Sequence, residues 1–189
     1  SQGLCTACGT CIGVCPNGSI VMNGTIPELT GTCGGCGSCY QACPGKEIRI
    51  QELDLKVSGR SRRENEKRIG IHMACYAANA ADAGVRRNAT SGGVITALLM
   101  AAFDKGLIDA ALVTGMSDTD PLKPAPMLAR GREDLVRSQK TKYMLVPGGL
   151  LSVLRSAVVE SGIQRLAVVG SPCHIHAVRK IQHAENRYL

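Results

Sequence analysis

The stretch CTACGTCIGVCP, residues 5–16, places four cysteines within eleven residues, and CGGCGSCYQACP, residues 33–44, repeats the same spacing. In both copies three cysteines are separated by two residues each. A fourth cysteine follows after three more residues and directly precedes a proline. Clustered cysteines serve disulfide bonds, zinc sites or iron–sulfur clusters, and the spacing distinguishes among these three.

Disulfide frameworks are typical of small secreted chains, whereas this chain has 189 residues, 44% hydrophobic content and no leading apolar segment of the signal-peptide kind. Structural zinc usually takes two C-x2-C pairs, so a triplet of cysteines overfills half of such a site. The run C-x2-C-x2-C-x3-C-P is the bacterial ferredoxin pattern, in which the fourth cysteine ligates the other cluster. The sequence therefore predicts two 4Fe-4S clusters, one held by Cys5, Cys8, Cys11 and Cys43, the other by Cys33, Cys36, Cys39 and Cys15.

The segment between and after these motifs completes a predicted ferredoxin-like domain over residues 1–55. SIVMNGTIPEL reads as a hairpin with Asn23 and Gly24 at its turn, and KEIRIQEL reads as a further strand. A basic run, KVSGRSRRENEKR, spans residues 56–68 with six basic and two acidic residues. We interpret it as a solvated linker or an edge that packs on a partner, with a docking patch for an acidic ligand as the alternative.

Charge is unevenly distributed along the chain. Residues 1–50 carry two basic and two acidic side chains, so the remaining 20 basic and 13 acidic ones account for the whole net charge of +7. Nucleic acid is not expected as a partner, because five aromatic residues leave little for base stacking and no reader motif is visible. No apolar stretch reaches the ~20 residues of a transmembrane helix, and cubane chemistry favours a reducing cytoplasm.

From residue 69 onward the pattern alternates between helices and strands, which indicates an α/β layer with a largely parallel or mixed sheet. Predicted helices are TSGGVITALLMAAFDKG, capped by Thr90 or Ser91 and closed at Gly106, then REDLVRSQ, GGLLSVLRSAVVESG ending at Gly162, and SPCHIHAVRKIQ. Predicted strands are DAALVTG (109–115), PMLARG (126–131) and RLAVVG (165–170). Ligands of such sheets tend to lie beyond the carboxyl ends of the strands.

Two short motifs precede helices and could form a site. NATSGG (88–93) offers backbone amides and hydroxyls that suit a phosphate, although an ordinary helix start with two glycines explains it equally. It has the spacing of neither a dinucleotide fingerprint nor a P-loop. SPCH after a strand could be a plain turn in which Cys173 is a small buried residue.

Three stretches together resemble a known family: ATSGGVITALLMAAFDKGLIDAALV, KPAPMLARGREDLVRSQKTKY and LAVVGSPCHIHAVRKIQ. In this order, over about residues 69–183, they are similar to the beta subunits of coenzyme F420-reducing hydrogenase, F420-dependent formate dehydrogenase and F420H2 dehydrogenase. That resemblance implies an α+β chain with a two-cluster ferredoxin domain followed by an α/β FAD-binding domain over residues 69–189.

The resemblance also implies the residues that bind cofactors. Thr90, Ser91, Gly92 and Gly93 would bind the FAD phosphates, Lys140, Thr141, Lys142 and Tyr143 match a motif facing the flavin, and Ser171 and Pro172 complete the set. Cys173 would ligate a third 4Fe-4S cluster whose other ligands lie farther toward the C-terminus, so we expect the chain to be truncated there. Arg86, Arg87, Lys140, Lys142, Arg179 and Lys180 are candidates to contact the phosphate and glutamate tail of F420.

The remaining cysteine and the histidines are given ordinary roles. Cys75 has no motif partner and is expected to be a buried thiol. His174 and His176 flank the expected site with helix-start roles, and His72 and His183 stay unassigned.

The resemblance implies a flavin and iron–sulfur oxidoreductase that exchanges a hydride between F420 and FAD and passes single electrons through the clusters. The receiving partner would be a subunit or domain of a hydrogenase, a formate dehydrogenase, an F420H2 dehydrogenase or a sulfite reductase. One alternative is a non-catalytic electron-transfer adaptor that uses the ferredoxin clusters alone. Another is a family member that acts on a different substrate, such as sulfite through a fused siroheme domain.

Overall fold

The computed structural model of the chain describes residues 4–184. Its first unit contains α1 (Thr10–Gly13), β1 (Ile20–Asn23), β2 (Ile26–Leu29), α2 (Ser38–Ala42) and α3 (Ile50–Ser58). The predicted hairpin is confirmed, since β1 and β2 are antiparallel with Asn23 opposite Ile26. Gly24 has a φ of 61°, a conformation that glycine adopts without steric cost in such a tight turn.

The two cysteine motifs fold alike. α1 and α2 both begin directly after a glycine in the left-handed region, Gly9 with φ 80° and Gly37 with φ 74°. Each of these glycines follows the second cysteine of its motif, so the sequence repeat becomes a structural repeat. The short helix after each left-handed glycine carries the third cysteine of its motif.

The predicted strand KEIRIQEL is wrong, because residues from Ile50 form the helix α3. The alternation of apolar residues is too short to specify a strand, and good helix formers follow it. An ion pair joins Glu52 and Lys56 at 2.9 Å with the i, i+4 spacing that supports a helix. Gly59, with φ 70°, ends the helix by donating its N–H to the carbonyl of Leu55.

The basic run after α3 is folded onto nearby acids. Arg60 reaches Glu66 at 2.6 Å and Arg62 reaches Asp54 of α3 at 2.6 Å. The Arg60 guanidinium, together with the Arg63 backbone N–H, lowers the pKa of Glu66 to about 2. A short 3-10 helix, Glu64–Glu66, lies within the run. Two of its arginines are therefore paired with acids of the run itself or of α3.

The second unit is built on a three-stranded mixed sheet in the order β4-β3-β5. Its elements are α4 (Ala83–Arg87), α5 (Val94–Asp104), β3 (Ala110–Met116), β4 (Pro124–Ala129), α6 (Arg132–Arg137), β5 (Leu166–Val168) and α7 (Pro172–Gln182). β3 pairs antiparallel with β4 and parallel with β5. The predicted mixed sheet, its three strands and the helices α5, α6 and α7 are confirmed.

Two details of the predicted helices are wrong. α5 is preceded by Gly93 in the left-handed conformation with no side-chain cap, so neither Thr90 nor Ser91 caps it. GGLLSVLRSAVVESG forms a 3-10 helix at Leu150–Val153 and a π-helix at Ser156–Glu160 in place of one regular helix. Hydroxyls explain part of this irregularity, because Ser152 donates to the carbonyl of Gly149 and Ser156 to that of Val153.

β3 is the centre of the core. Its side chains alternate, with Ala111 and Val113 packing in one cluster with Met100 of α5 and Leu135 of α6. Leu112 points to the opposite side and packs in a second cluster. That cluster contains Leu150, Leu151 and Leu154 of the irregular helical segment 150–160 and Ala177 of α7. The sheet is thus covered on both faces, which explains the almost unbroken apolar sequence of β3.

The two units are joined through the backbone of the first cysteine loop. Leu151 donates its N–H to the carbonyl of Cys8 at 2.9 Å. Gly9 and Gly149 touch backbone to backbone, since a Cβ on Gly149 would overlap the backbone nitrogen of Gly9. A Cβ on Gly13 would likewise overlap the carbonyl oxygen of Leu151. Only glycine permits this approach.

Within residues 4–184, no helix combines the length and the apolar character that crossing a bilayer requires.

Replacing Gly149 with alanine tests this junction. Gly148 is a matched control, because it has a similar φ, 78° against 81°, but a Cβ there would meet nothing within 4 Å. We expect Gly149→Ala to lower the free energy of unfolding by about 1–3 kcal/mol more than Gly148→Ala, as overpacking adds to the backbone strain. Urea denaturation measures both, and equal losses would contradict the close contact of Gly149 with Gly9.

Candidate functional site

A cavity of about 680 Å³ lies where the two units meet, a volume typical of cofactor sites. The start of α5, strand β3, the residues after β5, the start of α7 and the segment 138–146 all contribute to its wall. Val169 and Gly170 follow β5 directly, so the cavity lies at the carboxyl end of this parallel strand, as expected.

Thr90, Ser91, Gly92 and Gly93 all line the cavity at the start of α5. The first N–H groups of this eleven-residue helix have no side-chain cap and form the positive end of its dipole. Ala80 donates its N–H to the carbonyl of Gly92 at 2.7 Å and fixes the loop from behind. A Cβ on Gly92 would lie 2.8 Å from the carbonyl oxygen of Ala78, so the loop requires glycine there.

The segment after α6 lies against the same loop. The N–H of Thr141 donates to Oγ1 of Thr90 at 2.8 Å, which brings two motifs 51 residues apart into contact. Lys140, Thr141 and Lys142 line the cavity, whereas Tyr143 is exposed and does not. The ammonium of Lys142 donates to the carbonyls of Ser138 and Gln139, and burial lowers its pKa. Lys142 therefore holds the backbone directly after α6, and both of its acceptors are neutral carbonyls.

At the start of α7, Ser171, Cys173 and His174 line the cavity, while Pro172 does not. The N–H of Ser171 donates to Nδ1 of His174 at 3.0 Å. A backbone N–H can only donate, so Nδ1 is the acceptor and the neutral ring carries its proton on Nε2. Burial lowers the pKa of His174 below its ordinary 6.5 and favours this neutral form.

The depressed pKa of His174 has a consequence for stability. The unfolded chain binds a proton at about pH 6.5, and the folded chain resists it until lower pH. This contribution to stability is present above pH 6.5 and is lost as the pH falls through the folded pKa. We expect denaturation midpoints to fall more between pH 7.5 and 5.5 for the wild type than for His174→Gln. Parallel pH profiles of the two proteins would exclude this role.

Within each predicted set of cluster ligands, neighbouring cysteines shift one another's pKa. The pKa of Cys11 is raised to about 11, mainly by burial and then by the neighbouring Cys8, Cys5 and Cys43. Likewise burial, then Cys15 and Cys36, raise the pKa of Cys39. In both groupings a fourth cysteine lies near cysteines of the opposite motif, and the crossing of ligands stays a prediction.

All ten cysteines lie within residues 4–184 and are free thiols, which speaks against the disulfide alternative. In that part of the chain, no three His, Cys, Asp or Glu side chains converge on the position of a single metal ion. Thiolates around one zinc lie only about 3.8 Å apart. Those around a cubane are farther apart, because each binds a different iron.

Hydroxyls contact the second cysteine of each motif in the same way. Cys8 Sγ lies 3.1 Å from Thr10 Oγ1, and Cys36 Sγ lies 3.2 Å from Ser38 Oγ. Both hydroxyl residues are buried. The Ser38 hydroxyl lowers the pKa of Cys36. When a thiolate binds iron, it can only accept, so each hydroxyl becomes the donor.

These pKa shifts predict the reactivity of the metal-free, reduced protein. Cys36 is exposed and has a lowered pKa, whereas Cys11 is half-buried with a raised one. Because the thiolate is the nucleophile, we expect iodoacetamide to modify Cys36 at least tenfold faster than Cys11 at pH 8. Ser38→Ala should slow modification of Cys36 alone. Peptide mass spectrometry gives both rates, and equal rates would refute the assignment.

The two cysteine sets differ in their surroundings. Thr6 and Ala7, between the first two cysteines, form part of the cavity wall. Around the second motif, a Cβ on Gly35 or Gly37 would meet nothing within 4 Å. Sequence patterns did not predict Thr6 and Ala7 as cavity residues, because nothing local in a cysteine loop reports a distant contact.

Several other residues do not occupy the positions predicted for them in the core or at the cavity. The buried position expected for Cys75 is wrong, since it is exposed in an irregular segment beside the equally exposed Tyr76. Four basic candidates do not line the cavity: Arg86, Arg87, Arg179 and Lys180. Arg86 donates to the carbonyl of Ala80 at 2.7 Å and so supports the loop behind Gly92.

Comparison with known proteins gives the class of this chain. Residues 1–21 match a model described as a 4Fe-4S binding domain, and residues 75–155 match one described as coenzyme F420 hydrogenase/dehydrogenase, beta subunit N-term. A ferredoxin-like segment in front of such a domain is the organisation of an F420-linked oxidoreductase subunit. The second unit belongs to the family of coenzyme F420 hydrogenase and dehydrogenase beta subunits.

Two relatives match almost the whole chain. The coenzyme F420-dependent sulfite reductase of Methanocaldococcus jannaschii is 33% identical over 182 residues, covering 96% of this chain and 26% of the relative. A subunit of the F(420)H(2) dehydrogenase of Methanosarcina mazei is 31% identical over 188 residues, covering 98% of this chain and 51% of the relative. The chain thus spans between a quarter and a half of their lengths.

A solved structure shares the fold. The F420-reducing [NiFe] hydrogenase complex from Methanosarcina barkeri contains a chain that matches with a TM-score of 0.53 and 31% sequence identity. The match covers 61% of this chain and 40% of that one.

Proposed function

We propose that this chain is the flavin and iron–sulfur part of an F420-linked oxidoreductase. FAD would bind in the cavity between the units and exchange a hydride with coenzyme F420. Electrons would leave singly through 4Fe-4S clusters on the two cysteine sets. The observation that carries the proposal is the shared wall, in which the first cysteine loop and the Thr90–Gly93 loop line one cavity.

The residues present fit FAD. The uncapped first turn of α5 and the hydroxyls of Thr90 and Ser91 offer donors for phosphates. Leu99, Val113 and Val169 supply an apolar wall that suits a ring system and excludes water. When bound, FAD would supply the conversion between a two-electron hydride and single electrons. The protein contributes position, a dry surface and charge.

Lys140 is the side chain best placed to meet an anionic tail of F420. It lines the cavity, it is exposed, and its backbone has the unusual φ of 73°. A non-glycine residue in that region costs free energy, and such strain is concentrated at functional sites. Lys142 donates to the carbonyl of Gln139 and so holds the backbone directly before Lys140.

The cysteines have different roles by location. Cys5, Cys8, Cys11 and Cys43 would hold the cluster next to the cavity, because Thr6 and Ala7 of the loop that carries the first three form part of its wall. Cys33, Cys36, Cys39 and Cys15 would hold the cluster that faces outward to a redox partner. Cys173 also lines the cavity and would ligate a third cluster together with residues beyond those described.

Partners would be subunits or domains of the kind found in the relatives. The match to the sulfite reductase over 96% of this chain makes a fused or associated sulfite-reducing domain a specific second candidate. The equally long match to the F(420)H(2) dehydrogenase subunit favours a dehydrogenase complex as the electron acceptor. Sulfite-dependent oxidation of reduced F420 by the native complex that contains this chain would favour the sulfite-reducing partner, and its absence the dehydrogenase complex.

A reconstituted protein tests the proposal. After anaerobic loading with iron, sulfide and FAD, the full chain should bind flavin, and reduced F420 should bleach its visible absorbance. Thr90→Val removes the hydroxyl that accepts from Thr141, and we expect flavin affinity to fall at least tenfold because the loop is no longer held. Fluorescence titration with FAD measures this affinity.

Thr119→Val is the matched control, because the hydrogen bonds of Thr119 within residues 4–184 are to Ser117 in the loop between β3 and β4. It should bind FAD as the wild type does. A wild-type protein that takes up iron but no flavin would refute FAD binding and favour the adaptor function. Equal effects of the two substitutions would refute the role of the Thr90 loop.

A further inference from the structure

One lysine of the second unit is bound to the first cysteine set. Lys180, near the end of α7, donates through Nζ to the carbonyl of Cys43 at 2.5 Å and to that of Glu47 at 2.9 Å. Cys43 is the residue that the crossing pattern assigns to the cluster beside the cavity. The contact joins positions 137 residues apart, so the fold alone creates it.

The helix that carries Lys180 also reaches the cavity. Ser171, Cys173 and His174 at the start of α7 line the cavity, and Lys180 lies two turns farther along. Ala177, between them, is fully buried against the core of the second unit. α7 is therefore a rigid connection between the cavity and the cysteine loop, with a charged end at the loop.

The surroundings leave this charge largely unneutralised. The nearby carboxylates have their own partners, since Glu47 pairs with Arg49 at 2.9 Å and Glu52 with Lys56 at 2.9 Å. Both hydrogen-bond acceptors of Lys180 in the described structure are neutral carbonyls. Burial lowers the pKa of Lys180, and the neighbouring Cys43 thiolate opposes this shift.

We propose that Lys180 sets the reduction potential of the cluster held by Cys5, Cys8, Cys11 and Cys43. Taking up one electron makes a cluster more negative, and a fixed ammonium beside one of its ligands stabilises the reduced form. The second cysteine set lies against open space around Gly35 and Gly37, and within residues 4–184 no lysine donates to the carbonyl of any of its cysteines. Lys180 therefore raises the potential of the inner cluster relative to the outer one. It is a positioning residue and takes no part in bond making.

Redox titration of the full chain tests this role. The anaerobically reconstituted protein is titrated with dithionite while electron paramagnetic resonance follows the reduced clusters, which requires neither flavin nor F420. Lys180→Met should shift one of the two reduction steps to lower potential. At a fixed ambient potential, the ratio of reduced to oxidised cluster should fall at least tenfold for that step. For one electron, this corresponds to about 59 mV. Lys180→Arg should restore the wild-type value.

Two further variants separate charge from structure. Lys180→Gln keeps a hydrogen-bond donor but loses the charge, so it should lower the same step as Lys180→Met does. Lys123→Met removes an equal charge from a residue paired with Asp120 in the loop between β3 and β4, and should shift neither step. Iron and sulfide content measured on each variant confirms equal loading.

The proposal is overturned if Lys180→Gln keeps the wild-type potential, or if Lys123→Met shifts it as much. It is also overturned if both neutral variants fail to load the inner cluster while Lys180→Arg loads normally, because Lys180 would then be purely structural. The inference depends on the proposed function only for the cluster at the first cysteine set. Absence of flavin would refute the proposed function and leave this measurement intact.

Discussion

The close approach of Gly9 and Gly149 is the contact on which the arrangement depends. Their backbones meet with no room for a side chain, and Leu151 donates to the carbonyl of Cys8 beside them. This pair of glycines holds the first cysteine loop against the irregular helical segment 150–160, which packs on one face of β3. Because of this contact, Thr6 and Ala7 become part of a cavity that otherwise belongs to the second unit. A bulkier residue at either glycine would push the first cysteine loop away from this cavity.

A repeated sequence motif thus acquires different surroundings in its two copies. The two cysteine motifs share their spacing, their left-handed glycines and their hydroxyl contacts to sulfur. The loop of the first contributes to the cavity wall, whereas a Cβ on Gly35 or Gly37 of the second would meet nothing within 4 Å. Burial and charge are among the factors that tune cluster potentials. The two clusters proposed for these motifs would therefore differ in their surroundings.

α7 and the loop before α5 have complementary tasks around the cavity. The loop presents uncapped backbone donors and is supported from behind by Ala80 and by Arg86. α7 presents Ser171, Cys173 and a neutral His174 at one end and Lys180 at the other. Neither element makes this site alone, and the parallel strand pair β3 and β5 connects them. The charges of Lys142 and Arg86 serve to hold the loops, which local sequence alone did not indicate.

The hairpin, the three strands and the helices α5, α6 and α7 could be predicted from the sequence, because each follows from a local period or turn residue. α3 could not, because a short alternation competed with helix formers, and neither could the start of α5, where a left-handed glycine takes the place of a capping hydroxyl. The contacts of Thr141 with Thr90, of Gly149 with Gly9 and of Lys180 with Cys43 exist only in the folded chain. These contacts span 51 to 140 residues, and no periodicity along the chain encodes a pairing at such distances.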